Sequence, residues 1–126
     1  MGHMWSTYVT NPDTSPDIYN MPTFDPLYGF PEGRKERVMV ATQQEMNDAR
    51  LPLDKRDFCA HFLIDFYKCR QAEFPNLSAC MGKKHDYDQC EYQDYVMRMK
   101  EYEREKRLLQ RSKRKRLKAA REELYE

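Results

Sequence analysis

Two cysteine pairs of identical spacing constrain this chain more than any other feature. Nine residues separate Cys59 from Cys69, and nine separate Cys80 from Cys90. Ten residues of α-helix rise about 15 Å, whereas the Cα atoms of a disulfide lie roughly 4.4 to 6.8 Å apart. Neither pair can therefore close on itself if each lies on one helix, and the disulfides must run between two helices.

The connection between the helices selects one of the two remaining pairings. Bridges between helices could join Cys59 to Cys90 and Cys69 to Cys80, or Cys59 to Cys80 and Cys69 to Cys90. Only ten residues lie between Cys69 and Cys80, enough for a chain reversal but not for a return to a parallel start. We therefore predict the nested pairs Cys59–Cys90 and Cys69–Cys80 in an antiparallel hairpin.

Apolar residues around the first cysteine pair follow a helical period. One predicted helix face carries Phe58, Phe62, Phe66 and Cys69, spaced three or four positions apart. Asp54 is the predicted N-cap, just after Pro52, and Pro75-Asn76 is predicted to end the first helix and start the second. The hairpin is thus expected over residues 52–95, where disulfides compensate for the small core of so short a segment.

The segment before the hairpin has two predicted parts. Residues 1–33 form an extended arm, because five of the seven prolines disfavour helix and sheet there. These are Pro12, Pro16, Pro22, Pro26 and Pro31, interleaved with Tyr8, Tyr19, Phe24, Tyr28 and Phe30. The aromatic residues favour a strap across another protein over a disordered tail. Residues 34–51 predict a short helix, Arg34 to Arg50, and a linker ending at Leu51-Pro52.

After the second bridge the helix is predicted to continue through residues 96–126. Its apolar stripe is narrow, with nothing in the chain left to cover it, which predicts docking against a partner. The stripe consists of Tyr95, Met99, Tyr102 and Leu109. Residues 98–121 contain twelve Lys or Arg against three Glu, a local charge of +9 in a chain of net charge +1, so the expected partner is negative. The predicted fold class is all-α: a disulfide-stapled antiparallel hairpin with an extended N-terminal arm and a long C-terminal helix.

The cysteines and the targeting signals point to an unusual compartment. Disulfides imply an oxidising environment. The sequence lacks an apolar stretch suited to a membrane span or to a secretory signal, and residues 1–33 contain four acidic residues without Lys or Arg. A cleaved mitochondrial presequence is therefore not expected either. The chain must reach an oxidising compartment by another import route.

The twin Cys-x(9)-Cys spacing resembles that of the coiled-coil-helix-coiled-coil-helix (CHCH) proteins of the mitochondrial intermembrane space, which enter without a presequence and are trapped by oxidative folding. Four further segments resemble the subunit 7 family of the beta subcomplex of mitochondrial complex I, NADH:ubiquinone oxidoreductase. They are Met21-Pro22-Thr23-Phe24, Tyr28-Gly29-Phe30-Pro31, Ala41-Thr42-Gln43-Gln44-Glu45-Met46 and Asp94-Tyr95-Val96-Met97-Arg98-Met99-Lys100-Glu101. The resemblance spans about residues 21–111, and these segments are more specific than the cysteine spacing.

The resemblance implies a non-catalytic accessory subunit that supports assembly and stability of the membrane arm of complex I. It implies a peripheral location on the intermembrane-space side of the mitochondrial inner membrane. The implied partners are other subunits of the membrane arm, whereas anionic lipid is an expected partner because of the basic charge of residues 98–121. A free intermembrane-space assembly factor with the same disulfide hairpin is the alternative.

The basic helix raises a rival hypothesis, a nucleic-acid binder. Lys113-Arg114-Lys115-Arg116 resembles a nuclear-localisation or phosphate-contacting patch. No base-reading module accompanies it, so nucleic acid is not an expected partner, and anionic lipid or acidic subunits suit the charge better.

Enzymatic and metal-binding roles are not expected from the cysteines or histidines. Zinc sites favour cysteines two to four residues apart, and redox catalysis favours a similarly close pair. His61 and His85 lack a Cys or carboxylate constellation at metal-ligand spacing. We therefore predict no catalytic residue, no metal and no cofactor.

The N-terminus carries a weak lipidation pattern. Gly2 is followed four residues later by Ser6, as in N-myristoylation sites. The resemblance also implies Gly2 as the modified residue. The same Gly-His-Met sequence can remain from a cloning tag, and bulky Trp5 is an unfavourable neighbour.

Overall fold

The computed structural model describes residues 2–126, and the regular elements within that range are helical. The α-helices in chain order are α1 (Gly2–Trp5), α2 (Gln43–Asp48), α3 (Ala60–Glu73) and α4 (Met81–Leu124). A π-helical turn, Ser6–Thr10, follows α1, and 3-10 turns at Leu53–Lys55 and Leu77–Cys80 precede α3 and α4. Across the described residues, we find no helix that is both long and apolar enough to cross a membrane. The predicted all-α class is confirmed.

The chain forms two compact units. The hairpin unit comprises Lys35–Arg98. The arm unit comprises the residues up to Arg34 together with Met99–Glu126. The N-terminal arm thus associates with the C-terminal part of α4.

Two disulfides link the limbs of the hairpin. Cys59 is bonded to Cys90 and Cys69 to Cys80, and the Cα atoms of each pair lie 5.9 Å apart. Cys59 and Cys80 are fully buried. Because the outer bridge encloses the inner one, the limbs run antiparallel, and the predicted stapled hairpin is confirmed. α3 ends at Glu73 and the second limb begins just beyond Pro75 and Asn76.

The core of the hairpin unit is small and lies on α3. Buried side chains come from α3 and from the segment before it: Ala41, Met46, Leu51, Ala60, Leu63 and Ile64. Phe66, Tyr67 and Tyr87 pack against this cluster while remaining partly exposed. So few buried apolar residues supply little hydrophobic free energy, and the two disulfides therefore carry much of the stability.

The start of the hairpin differs from the prediction. Asp54 is not the N-cap of a long helix, because it lies inside the 3-10 turn and α3 begins only at Ala60. Asp57 takes a local role instead, since its carboxylate accepts a hydrogen bond of 3.0 Å from the backbone N–H of Cys59. Phe58 consequently precedes the helix.

The predicted helix from Arg34 to Arg50 is also wrong in length. Only α2 is helical, starting where the Thr42 hydroxyl accepts a 3.1 Å hydrogen bond from the backbone N–H of Glu45. The preceding residues offer little packing, as the large exposed fraction of Val38, 73%, illustrates, and a short helix needs such packing. Arg50 adopts a left-handed conformation with φ of 55°, which ends the helical turn before Pro52.

The arm has helix at its start, contrary to prediction. α1 and the following π-helical turn occupy residues that precede Pro12, the first proline, so nothing there blocks helical hydrogen bonds. Beyond Pro12 the arm is irregular, with turns at Gly29 and Gly33. Both glycines have φ above +80°, a conformation that glycine adopts without steric cost.

Candidate interaction surfaces

The arm runs antiparallel to the C-terminal part of α4. Residue numbers fall along the arm as they rise along the helix in three polar contacts. These join Arg34 to Glu101, Thr23 to Glu105 and Asp13 to Lys113. The stripe of α4 that was expected to lack a cover within the chain is thus partly covered by the arm, which the sequence analysis did not predict.

Glu105 anchors the middle of the arm. The residue is only 7% exposed, and its Oε1 accepts a hydrogen bond of 3.1 Å from the backbone N–H of Thr23, whereas its Oε2 is buried without a hydrogen-bond partner among residues 2–126. Buried carboxylates are costly unless they are hydrogen-bonded or paired. From the sequence, Glu105 is one of three acidic residues in a basic segment, and no anchoring role is predicted for it. Its position on the same helix face as Tyr102 and Leu109 is the feature that could have indicated one.

Arg104 fastens the arm next to Glu105. Its guanidinium donates hydrogen bonds to the backbone carbonyl oxygens of Asp25, at 3.0 Å, and Tyr28, at 2.8 Å. Arg104 and Arg34 also lie over the ring of Phe30, at 5.6 and 4.8 Å from its centroid. These hydrogen bonds and cation–π contacts can form together only if the arm turns here, so they fix the conformation of residues 25–34.

Ion pairs near both ends of the arm keep the carboxyl groups of Glu101 and Asp13 charged. The hydrogen bond from Arg34 lowers the pKa of Glu101. The hydrogen bond from Lys113 likewise lowers the pKa of Asp13, and the charge of Arg116 adds to this effect. Both carboxyl groups are therefore ionised at neutral pH.

In the hairpin unit, Arg37 attaches the extended segment before α2. It forms an ion pair of 2.8 Å with Asp94, and its guanidinium lies 3.9 Å from the centroid of the Phe58 ring. A cation stacked on an aromatic ring and paired with a partly buried carboxylate holds its position well. Phe58 thus packs against Arg37 rather than on the predicted helix face.

Two carboxyl groups meet beside the outer disulfide. Ligand atoms of Asp57, Cys59 and Glu91 lie within 4.8 Å of one another, but the sulfur of Cys59 is bonded to Cys90. Burial, and then the neighbouring Asp57 carboxylate, raise the pKa of Glu91 against the opposing effect of the Tyr87 hydroxyl. The same burial, together with Glu91, raises the pKa of Tyr87 to about 12. This cluster is a structural carboxyl pair whose protonation affects stability.

His61 and His85 lie in different environments. The His61 ring packs 4.2 Å from the ring of Phe62 and edge-on to Phe58. Its Nδ1 is buried, and residues 2–126 provide it no hydrogen-bond partner. His85 is exposed on α4. The structure does not bring the two together, and the absence of metal and catalytic roles stays a prediction.

The tip of the hairpin exposes a cluster of large apolar side chains. Phe74 is 75% exposed, and Leu77 and Met81 lie beside it in sequence at 47% and 60%. A shallow cavity of about 520 Å³ adjoins the tip and is lined by Tyr67, Arg70, Gln71, Phe74 and Leu77. Contiguous exposed apolar side chains with a polar rim are typical of protein interaction sites.

The predicted lipidation site lies at the start of the described chain. Gly2 is the first residue of α1. Trp5 and Tyr8, which follow it, are mostly exposed. Modification of Gly2 stays a prediction.

Comparisons with known proteins identify the chain's relatives. The family model of the NADH-ubiquinone oxidoreductase B18 subunit (NDUFB7) matches residues 40–102. The chain is 60% identical to NADH dehydrogenase [ubiquinone] 1 beta subcomplex subunit 7 of Bos taurus over 113 residues, 90% of this chain and 82% of that protein. The Mus musculus protein of the same name is 57% identical, over 94% of this chain and 86% of its own. The Caenorhabditis elegans protein is 48% identical, over 85% and 88%.

Proposed function

The chain belongs to the NADH-ubiquinone oxidoreductase B18 subunit (NDUFB7) family, and on that premise we propose that it supports assembly and stability of the membrane arm of complex I. It is an accessory, non-catalytic subunit of that complex. Its proposed location is the intermembrane-space side of the mitochondrial inner membrane, where it would be held peripherally. Its proposed partners are other subunits of the membrane arm.

The observation that carries the proposal is the stapled hairpin with an exposed apolar tip. Two disulfides fix the hairpin, yet Phe74, Leu77 and Met81 remain largely exposed at its tip. None of the three belongs to the buried core cluster, and burying them against a partner gains about 25 cal/mol per Å² of apolar surface. A rigid hairpin presenting an apolar patch suits a scaffold that joins neighbouring subunits.

The disulfides also support the proposed side of the membrane. All four cysteines are paired, which calls for an oxidising compartment, and the matrix side of the inner membrane is a reducing one. The pairing of Cys59 with Cys90 and of Cys69 with Cys80 would form there as the hairpin folds.

Lipid contact is the remaining part of the proposal. A myristoyl group on Gly2 would add reversible membrane affinity, because one acyl chain alone anchors a protein only weakly. The basic residues of α4 would add attraction to anionic head groups. Protein contacts would supply the rest.

Two measurements on mitochondria test this function. Native gels of mildly solubilised membranes, probed for this chain, should show it at the mass of complex I. A small soluble species alone would instead indicate a free assembly factor. In mitoplasts with a ruptured outer membrane, added protease should digest the chain. Protection until the inner membrane is also lysed would contradict the proposed side.

The tip can be tested in the same assay. Phe74→Asp should reduce incorporation into the complex, because a charge would then be buried at the proposed interface. Tyr125→Asp is a matched control, as Tyr125 is an exposed aromatic residue beyond α4. Equal incorporation of both variants would exclude the tip as a subunit contact.

A further inference from the structure

One face of α4 carries three cations beside the arm. Residues at helical spacing of three or four line the helix side of a groove of about 400 Å³: Leu108, Arg111, Ser112, Lys115 and Arg116. Phe24 and Tyr28 of the arm form its other side. All of these residues belong to the arm unit. The groove therefore combines an apolar floor with a cationic rim.

The three cations are available for a ligand. Within residues 2–126, Arg111, Lys115 and Arg116 form no ion pair with a carboxylate. Asp13 is an acid of the same unit, and its pKa is lowered mainly by its hydrogen bond from Lys113 and to a lesser degree by the charge of Arg116. Since Lys113 already neutralises Asp13, the groove keeps an excess of positive charge.

The groove also offers the right donors for a phosphate. Arginine presents a planar fork of N–H groups that matches two phosphate oxygens, and lysine adds a compact charge. Ser112 supplies a hydroxyl on the same helix face. The half-buried Phe24 and Leu108 provide an apolar floor, which an inorganic ion would not need.

We infer that this groove binds the head-group phosphate of an anionic phospholipid, with the first carbons of the lipid against Phe24 and Leu108. The inference rests on the proposed peripheral contact with the membrane and assigns that contact to specific residues. The charge and the apolar floor together favour a lipid over free phosphate, and the arm's turn fixes the aromatic side of the groove.

Vesicle binding by the full disulfide-bonded chain tests the site. The probe is phosphatidylcholine vesicles with and without phosphatidylglycerol, sedimented with wild-type protein, with Arg111→Gln/Arg116→Gln, and with Arg114→Gln/Arg121→Gln. Both double variants remove two exposed arginines from α4, so their net charges are equal. Arg114 and Arg121 are outside the residues that line the groove. Glutamine is a good helix former, and circular dichroism verifies that α4 is retained.

The groove variant should bind anionic vesicles about tenfold more weakly than the control variant, because only the groove variant loses charge-assisted hydrogen bonds to the head-group phosphate. Wild type should bind phosphatidylcholine alone weakly. Equal loss in both double variants would mean diffuse attraction by the whole helix and would overturn the groove. Complete loss of vesicle binding when inorganic phosphate is added at no more than the concentration of lipid phosphate, with ionic strength held constant by chloride, would show that the apolar floor adds nothing to recognition and would also overturn it.

Incorporation into complex I separates this inference from the proposed function. The native-gel assay should find the groove variant in the complex, because subunit contacts are assigned to the hairpin. Incorporation with unaltered lipid binding would therefore refute the groove while leaving the function intact.

Discussion

Thr23 donates its backbone N–H to the buried carboxylate of Glu105, 82 residues further along the chain, at a distance of 3.1 Å. This hydrogen bond joins the proline-rich arm to the basic C-terminal part of α4, and the two segments form one compact unit. Arg104, the residue before Glu105, holds the same stretch through two backbone carbonyl groups. The ion pairs Arg34–Glu101 and Lys113–Asp13, nearer the ends of the arm, are partly exposed, unlike Glu105.

Replacing Glu105 should release the arm. Glu105→Ala removes the acceptor, and hydrogen bonds to charged groups contribute about 1.5 to 3 kcal/mol. Amide exchange at Thr23 and its neighbours should become much faster, with α4 itself still protected. Glu103→Ala is the control, because Glu103 is exposed and, within residues 2–126, forms its one ion pair with Arg107 on the same helix. Unchanged exchange in Glu105→Ala would contradict an anchored arm.

Acid should loosen the arm at its ends. Arg34 lowers the pKa of Glu101 and Lys113 lowers that of Asp13. A lowered folded-state pKa gives stability that is present above the unfolded value and lost as pH falls through the folded value. Protease sensitivity of residues 12–34 should therefore rise below about pH 4, where carboxyl groups become protonated. In Arg34→Gln the sensitivity at neutral pH should already be raised, and a flat pH profile in wild type would contradict the ion pairs.

The carboxyl pair beside the outer disulfide should have the opposite pH dependence. Burial and Asp57 raise the pKa of Glu91, so its contribution is fully present below the unfolded pKa and lost as pH rises through the folded value. Glu91→Gln should be more stable than wild type at pH 7, by less than about 1 kcal/mol because solvent screens the pair. Thermal unfolding between pH 4 and pH 8 measures this. A variant less stable than wild type at pH 7 would show that the charge is favourable.

Mass spectrometry tests the lipid on Gly2. The intact native protein should lack Met1 and carry one C14 acyl group. Gly2→Ala should abolish the added mass without affecting the hairpin. An unmodified glycine or a retained Met1 in the native protein would rule out myristoylation of Gly2.

The cysteine spacing was sufficient to predict the hairpin, because helical rise and disulfide geometry leave few solutions. Local signals were less reliable. Asp54 precedes α3 without capping it. Most of the predicted helix before the hairpin is not helical, because packing rather than intrinsic propensity determines whether such a short helix forms. The contacts of the arm could not be predicted from the sequence. Residues 23 and 105 are far apart in the chain, and the donor is the backbone N–H of Thr23, a group that every residue except proline carries.

We propose that the disulfides hold a scaffold and perform no chemistry. Removing one bridge typically costs a small domain about 2 to 5 kcal/mol, comparable with its whole stability. Cys59→Ser should therefore lower the amount of assembled complex I. His85→Ala, an exposed residue of the same hairpin, serves as the control and should assemble normally.

The deciding measurement is NADH:ubiquinone activity normalised to assembled complex in cells that carry Cys59→Ser. A purely structural role of the disulfides predicts less assembled complex with an unchanged rate for each complex that assembles. Normal assembly with a lowered normalised rate would contradict it, because the cysteines would then take part in the reaction rather than in the fold.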